Sequence, residues 1–110
     1  KMEITRFNLA WNRIVAWPDS LEGLQMIKND FLVMPFSNGG FRCLLDIAKH
    51  NSLPWDGIIS ADFFKKVKPD ISIYGDAADM LCLAPEEIMM VACHAQDLDA
   101  ARKAGFKMRM

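Results

Sequence analysis

The chain has 110 residues, fewer than the roughly 150 of an average domain, so we expect one small domain or part of a larger one. Lys and Arg number 13 and Asp and Glu number 14. The resulting net charge of −1 provides no basic excess for a nucleic-acid backbone, and no nucleic-acid partner is expected. Apolar residues make up 52% and charged residues 25%, which is typical of a globular protein rather than a disordered one.

The cysteines and the hydropathy pattern bear on the compartment. Cys43, Cys82 and Cys93 are odd in number and form no C-x-x-C pair, so neither a disulfide framework nor a zinc site is expected. No run of about 18 apolar residues and no N-terminal signal pattern occurs. We therefore expect a cytoplasmic protein without a membrane partner. Because the chain begins at Lys1 and stops within a predicted strand at Met110, we expect both ends to be internal to a longer protein.

Apolar spacing predicts two helices at the start of the chain. The first covers residues 4–15 and ends before the Trp17-Pro18 pair, which breaks helices. The second begins with a cap at residues 19–20 and is expected to end at Asn29 in a left-handed conformation. These two predicted helices precede the alternating strands and helices of the rest of the chain.

A strand, a polar turn and a helix come next. The unbroken apolar run over residues 31–36 is typical of a strand that is covered on both faces. It stops at the turn 37–40, Ser-Asn-Gly-Gly, and a helix then extends to about Asn51. This succession of strand, tight turn and helix is one unit of an α/β fold.

The second half of the chain repeats this alternation. Strands are predicted at residues 57–60, 88–93 and 106–110. One helix follows Asp70, and another ends at Gly105, where a left-handed glycine is favoured. Short apolar strands joined by helices of about 10 to 13 residues indicate right-handed crossovers, so we predict an α/β fold with a three-layer parallel sheet.

Polar turns fall at the sheet edge where such folds bind ligands, beyond the carboxyl ends of the strands. Ser37 and Asn38 follow the first strand of the alternation. Lys68 precedes the helix after the next strand, and Asp97 follows the third. A hydroxyl, an amide, an ammonium and a carboxylate are therefore expected to converge. The glycines of the 37–40 turn also let backbone N–H groups at a helix start face a carboxylate or phosphate oxygen.

The spacing alone leaves a structural interpretation open for each of these residues. Ser37, Asn38 and Asp97 are all favoured at helix starts, where they act as caps or interact with the helix dipole. Lys68 lies close to two other lysines and is compatible with a solvated basic face.

Two rings near these turns are further candidates. Tyr74, the only tyrosine, lies six residues after Lys68 and either packs in the core or joins the site. His94 is either a hydrogen-bonded structural imidazole or a base.

Five segments, in order and covering nearly the whole chain, carry a family resemblance: AWPDSLEGL, FSNGG, AKHNSLPWDGIISAD, VKPDISIY and MMVACHAQDLDAARKAGF. They closely resemble the type II 2-haloacid dehalogenases of the haloacid dehalogenase-like (HAD) hydrolase superfamily. The resemblance implies a Rossmann-like core with a helical cap inserted after the first strand. Residues 1–17 would then be the end of the cap and the return to the core, and residues 18–110 a partial core.

The resemblance also implies an activity and roles. In such enzymes an aspartate attacks the carbon that bears the halogen of a small 2-halo carboxylic acid, and water hydrolyses the resulting ester without a cofactor or metal. Ser37 and Asn38 match the family's second motif, which holds the substrate carboxylate and the nucleophile region. Lys68 matches the lysine that balances the charge of the nucleophile, and Tyr74 matches a tyrosine of the same segment. Asp97 matches the acidic residue that orients the lysine or the hydrolytic water.

The sequence departs from the family pattern in two ways. The nucleophile-bearing D-x-x-G-T segment does not occur in the 110 residues. In the family fold its strand lies between those carrying Ser37 and Cys93, and unpaired backbone groups are costly to bury. We therefore predict that the chain alone is inactive, and that it is either marginally stable or completed by another chain; dimers are usual among these enzymes. The run Ala92-Cys93-His94 replaces one containing Ser and Asn, which leaves the substrate and its stereochemistry open.

Two other functions compete with a dehalogenase. The first is a magnesium-dependent HAD-type phosphatase, which would carry a carboxylate four residues before Asp97. Cys93 stands there, and a thiol is a poor ligand for Mg²⁺. The second is a truncated, non-catalytic remnant that acts as an interaction module, as the missing nucleophile segment allows.

Overall fold

The computed structural model of the protein describes residues 12–110, so the helix predicted at 4–15 lies almost entirely outside the described residues. The chain divides into two units, Lys1–Ser60 and Ala61–Met110, and the described residues of each form one pair of parallel strands. The elements of the described residues are α1 (Ser20–Lys28), β1 (Phe36–Ser37), α2 (Phe41–Asn51), β2 (Ile59–Ser60), α3 (Ile71–Leu81), β3 (Met89–Val91), α4 (Ala95–Lys103) and β4 (Lys107–Arg109), with 3₁₀ turns at Ala61–Phe63 and Pro85–Glu87.

The two described helices of the first unit begin where the sequence predicts, but one ends differently. The prediction that Asn29 adopts a left-handed conformation is wrong, since its φ is −60° and its ψ is −32°. The amides of Asp30 and Phe31 both donate to the Ile27 carbonyl, so the chain continues its right-handed turn past the end of α1. Helix α2 ends at Asn51 as predicted, and Ser52 takes the left-handed conformation after it with a φ of 53°.

The strand pairing of the first unit is shorter than predicted. Of the apolar run only Phe36 is paired, together with the following Ser37, and these two residues align with Ile59 and Ser60 of β2. Upstream, the Val33 amide donates to the Asp56 carboxylate at 2.8 Å, and the Val33 carbonyl accepts from the Asp56 amide at 2.9 Å. The strand predicted over 31–36 is therefore wrong in extent, because the Val33 amide binds the Asp56 side chain where a ladder would supply a backbone carbonyl.

The second unit has the larger described core. Helices α3 and α4 contribute most of its buried residues, and Ala61 and Phe106 complete them. The ring of Tyr74 meets that of Phe106 edge to face at 5.7 Å. Strand β3 pairs with β4 from Met89 with Lys107 to Val91 with Arg109. Met89 and Val91 are nevertheless 54% and 66% exposed, so this strand does not have the two covered faces of a central strand. Among the helices of this described range, none is long and apolar enough to cross a membrane.

Gly105 ends α4 as predicted, with a φ of +98°. Its amide donates to the Arg102 carbonyl and the Phe106 amide to the Ala101 carbonyl, both at 2.9 Å. These bonds satisfy carbonyl groups at the helix end in the pattern that favours glycine. A Cβ at this position would also lie 3.1 Å from Cβ of Pro85.

We therefore expect Gly105→Ala to destabilise the complete gene product by roughly 1–3 kcal/mol, since alanine strains the left-handed backbone and presses on Pro85. Urea unfolding monitored by circular dichroism measures the change. Gly75→Ala is the matched control, because Gly75 lies within α3 and a Cβ added there would meet no side chain within 4 Å. Alanine there should leave the stability unchanged or raise it by up to about 1 kcal/mol. Equal effects of the two substitutions would contradict this explanation.

Candidate active site

A carboxylate at the start of α4 joins two other elements of the second unit. Asp97 lies in the first turn of the helix, three residues after the cap residue His94. One of its oxygens, Oδ2, accepts from Nζ of Lys68 at 2.7 Å. The other, Oδ1, accepts from the hydroxyl of Tyr74, on the first turn of α3, at 2.5 Å. The three side chains, which we call the Asp97 cluster, bring together residues that are up to 29 positions apart.

The charges of Lys68 and Asp97 interact more strongly than those of an exposed ion pair, because both side chains are mostly buried. The side chains of Lys68 and Asp97 are 14% and 18% exposed, and Tyr74 is fully buried. Charges that are largely removed from water interact more strongly than exposed charges, and losing one partner leaves the other poorly solvated. The cluster therefore holds a cation and an anion at fixed positions.

Lys68 does not belong to a solvated basic face. Its neighbour Lys66 pairs separately with Asp76 of α3 at 2.7 Å, and both of those side chains are more than one-third exposed. The hydrogen bond to Asp76 raises the pKa of Lys66. Two lysines from one loop are thus directed to two different helices, and only Lys68 is mostly buried.

The Tyr74 hydroxyl remains protonated at neutral pH and serves as a donor. Burial raises the pKa of this phenol well above its usual value, and the hydrogen bond and negative charge of Asp97 raise it further. The two interpretations of Tyr74, core packing and participation in a polar site, therefore both apply: the ring packs on Phe106 while the hydroxyl reaches Asp97.

We expect the alkaline difference spectrum between the complete gene product and its Tyr74→Phe variant to show no tyrosinate step near pH 10, the usual tyrosine pKa of about 10. Because the folded pKa is raised, the neutral phenol stabilises the fold below that pH, and this contribution is lost as the pH rises above it. Ultraviolet absorbance of tyrosinate measures the step. A step at the ordinary pKa, with the protein still folded by circular dichroism, would contradict the buried hydrogen bond.

The polar turn of the first unit has its own hydrogen bonds. Ser37 is the last residue of β1, and its Oγ accepts from the amide of Gly39 at 3.0 Å. The carbonyl of Gly39 accepts from the hydroxyl of Ser60 at 2.7 Å. Gly40 is the cap residue of α2 and makes no side-chain cap bond, so neither Ser37 nor the exposed Asn38 occupies the cap position. Two hydrogen bonds of Gly39, one to Ser37 and one to Ser60, hold this turn.

The candidate residues fall into three groups. Lys68, Tyr74 and Asp97 lie together in the Asp97 cluster. Ser37 and Asn38 belong to the other unit, and their convergence with this cluster stays a prediction. His94 is exposed at the cap position of α4, without a side-chain cap bond.

Ser60 is a further candidate that the sequence reasoning missed. It is fully buried, and its hydroxyl holds the Gly39 carbonyl. A signal was present in the sequence, because a serine that ends an apolar strand must find a hydrogen-bond partner if it is buried. Over residues 12–110, no group of three His, Cys, Asp or Glu side chains is placed to hold a metal ion.

Comparison with known proteins gives no match to a family model. The chain is 36% identical over 104 residues to (S)-2-haloacid dehalogenase 4A of Burkholderia cepacia, covering 92% of this chain and 45% of the relative. The crystal structure of the L-2-haloacid dehalogenase PA0810 matches with a TM-score of 0.87 and 43% identity, covering 89% of this chain and 43% of that one. The chain resembles the 2-haloacid dehalogenases.

A third 2-haloacid dehalogenase agrees with these two. The L-2-haloacid dehalogenase of Xanthobacter autotrophicus, with chloropropionic acid covalently bound, matches with a TM-score of 0.82 and 26% identity over 90% of this chain and 41% of that one. The resemblance and the α/β, Rossmann-like fold class predicted from the sequence are thereby confirmed. The chain spans less than half the length of these dehalogenases.

Proposed function

We propose that the complete protein is a hydrolase that cleaves the carbon–halogen bond of short 2-haloalkanoic acids through an aspartyl-ester intermediate. The observation that carries the proposal is the Asp97 cluster, in which Lys68 and Tyr74 share one carboxylate. The similarity to several 2-haloacid dehalogenases supports it. The nucleophilic aspartate would come from a segment outside the 110 residues, since no D-x-x-G-T sequence occurs among them.

The first chemical step is a displacement. The aspartate carboxylate forms a bond to C2 of the substrate while the halide leaves with the electron pair of the broken bond. Lys68 is suited to keep that aspartate ionised, because its ammonium group is largely shielded from water and its carbon chain is fixed by the bond to Asp97. Asp97 would act here as the residue that holds the ammonium in place.

The second step is hydrolysis of the ester. Water adds to the ester carbonyl, the acyl–oxygen bond breaks, and the products are a 2-hydroxy acid and the regenerated aspartate. Asp97 is suited to orient Lys68 or this water, because Tyr74 and Lys68 occupy different oxygens of its carboxylate and fix its plane. The reaction balances with water and substrate alone, and the proposal includes no cofactor or metal.

Binding of the substrate carboxylate is assigned to the turn that carries Ser37 and Asn38. Because the Ser37 oxygen already accepts the Gly39 amide, its own proton is available to donate to a carboxylate oxygen. Under this proposal, residues 1–17 end a helical cap, residues 18–110 form part of the core, and the missing strand is supplied by the rest of the protein or a second copy. A cytosolic location is part of the proposal, since the described cysteines are free.

The proposal is tested by halide release from the complete gene product. The substrates are the two enantiomers of 2-chloropropionate and of 2-bromopropionate, each assayed separately. We expect at least one enantiomer to yield halide and 2-hydroxy acid in equal amounts. A phosphate ester, assayed with and without a chelator, tests the competing phosphatase. Phosphate release without halide release would reject the dehalogenase assignment.

A further inference from the structure

Ser60 is a fully buried polar residue at the end of β2, with no exposed surface. It lies beside Ser37 in the parallel pairing of β1 and β2. Its hydroxyl donates to the Gly39 carbonyl at 2.7 Å, across 21 positions of the chain. Because a buried hydroxyl without a partner is costly, this bond is a fixed element of the folded unit rather than an incidental surface contact.

Gly39 connects this buried hydroxyl to Ser37. Its carbonyl accepts from Ser60, while its amide donates to Oγ of Ser37 at 3.0 Å. Holding the carbonyl fixes the residue's position and thus the direction of its amide. The Ser37 oxygen is thereby held as an acceptor toward Gly39, and its proton is turned away from that residue.

The space around Gly39 is tight on the side of Ser37. A Cβ at Gly39 would lie 3.3 Å from Oγ of Ser37 and 3.5 Å from Cδ2 of Leu44. The glycine therefore lets the Ser37 hydroxyl lie close to the backbone of the turn, where the amide can reach it. The hydrogen bonds and the absence of a side chain both act on the orientation of the same hydroxyl.

We infer that Ser60 is a positioning residue, which orients the Ser37 hydroxyl for the substrate carboxylate by holding Gly39. The inference rests on the proposed function, in which Ser37 binds that carboxylate. Ser60 itself does not touch the substrate in this arrangement. If the substrate carboxylate is bound equally in the ground state and the transition state, weakening that binding raises KM and leaves kcat unchanged. The variants below are therefore compared by their KM and kcat values separately.

The test is a double-mutant cycle in the complete gene product, with halide release from 2-chloropropionate and competitive inhibition by propionate as readouts. We expect Ser60→Ala to raise KM and the propionate inhibition constant about tenfold, with kcat changed by less than about threefold. Ser37→Ala should raise both constants at least as much. The double variant should be no worse than Ser37→Ala, because Ser60 acts through Ser37.

Two further variants separate positioning from a general loss of stability. Ser60→Cys keeps a weak donor of similar size, and should give a smaller rise in KM than Ser60→Ala. Ser20→Ala removes a hydroxyl from the first residue of α1 and should leave KM unchanged. A thermal unfolding curve of every variant shows whether it is folded at the assay temperature. The kinetic constants are compared only among variants that are folded there.

The same measurements distinguish a failure of the proposed function from a failure of the inference about Ser60. Wild-type protein that neither releases halide nor binds propionate overturns the proposed function, and this inference with it. An active wild type whose KM rises in Ser37→Ala but not in Ser60→Ala overturns the inference alone. Additive effects of the two substitutions also overturn it, since they would mean that Ser60 acts independently of Ser37.

Discussion

Replacement of Lys68 by methionine is expected to lower halide release by the complete gene product about 10²–10³-fold, the range for losing one stabilising group at a reacting centre. Methionine keeps an unbranched apolar chain but removes the charge that the proposed nucleophile requires. The Asp97 carboxylate, 18% exposed, would retain the Tyr74 hydroxyl but lose its cation. The rate of chloride release under saturating substrate measures the effect.

Lys66→Met is the matched control for this substitution. Lys66 lies two residues away in the same loop and also makes a carboxylate bond of 2.7 Å, but to Asp76 and with greater exposure. We expect its halide release to stay within about threefold of the wild type, because exposed pairs contribute little. If both variants lost activity equally, the effect would belong to the loop rather than to the Lys68 ammonium.

Asp97→Asn is expected to have the second large effect, on both activity and stability. The amide still accepts from Tyr74 but offers no charge to Lys68, whose side chain is only 14% exposed. We expect a loss of stability of roughly 3 kcal/mol, the lower end of the range for breaking a buried pair. Halide release should fall about a hundredfold or more, since the proposed role of Asp97 is to orient Lys68 or the hydrolytic water. Urea unfolding and the halide assay measure the two effects.

Asp99→Asn provides the comparison on the same helix. Asp99 is 53% exposed and pairs with Arg102 and Lys103, so its loss should change neither stability nor activity measurably. The double variant Lys68→Met/Asp97→Asn should be destabilised by less than the sum of the single variants, because it leaves no buried charge unpaired. A fully additive result would show that the two side chains do not interact in the folded protein.

Helix positions in this chain follow from local chemistry. The spacing of apolar residues predicts α2, α3 and α4, and Gly105 marks the end of α4 because a left-handed backbone there favours a residue without Cβ. Asn29 tolerates the same conformation but does not adopt it. The amides of Asp30 and Phe31 donate to the Ile27 carbonyl and continue the right-handed turn. The identity of residue 29 does not predict these bonds.

Strand extent is harder to predict than strand position. Residues 31–36 are uniformly apolar and yet pair only at Phe36, because the Asp56 carboxylate binds the Val33 amide. Whether an extended segment forms a ladder depends on which donors and acceptors lie beside it. A pattern read along a single segment does not contain that information.

The sequence by itself determined the residue types of the site, the α/β alternation and the resemblance to the 2-haloacid dehalogenases, because all of these depend on neighbours within a few residues or on ordered motifs. Only the tertiary structure decided that Lys68 is a buried partner of Asp97 while Lys66 pairs with Asp76, and that Ser60 holds Gly39. Those contacts join residues 10 to 29 positions apart. Their formation depends on how helices and strands pack in three dimensions, which local propensities do not specify.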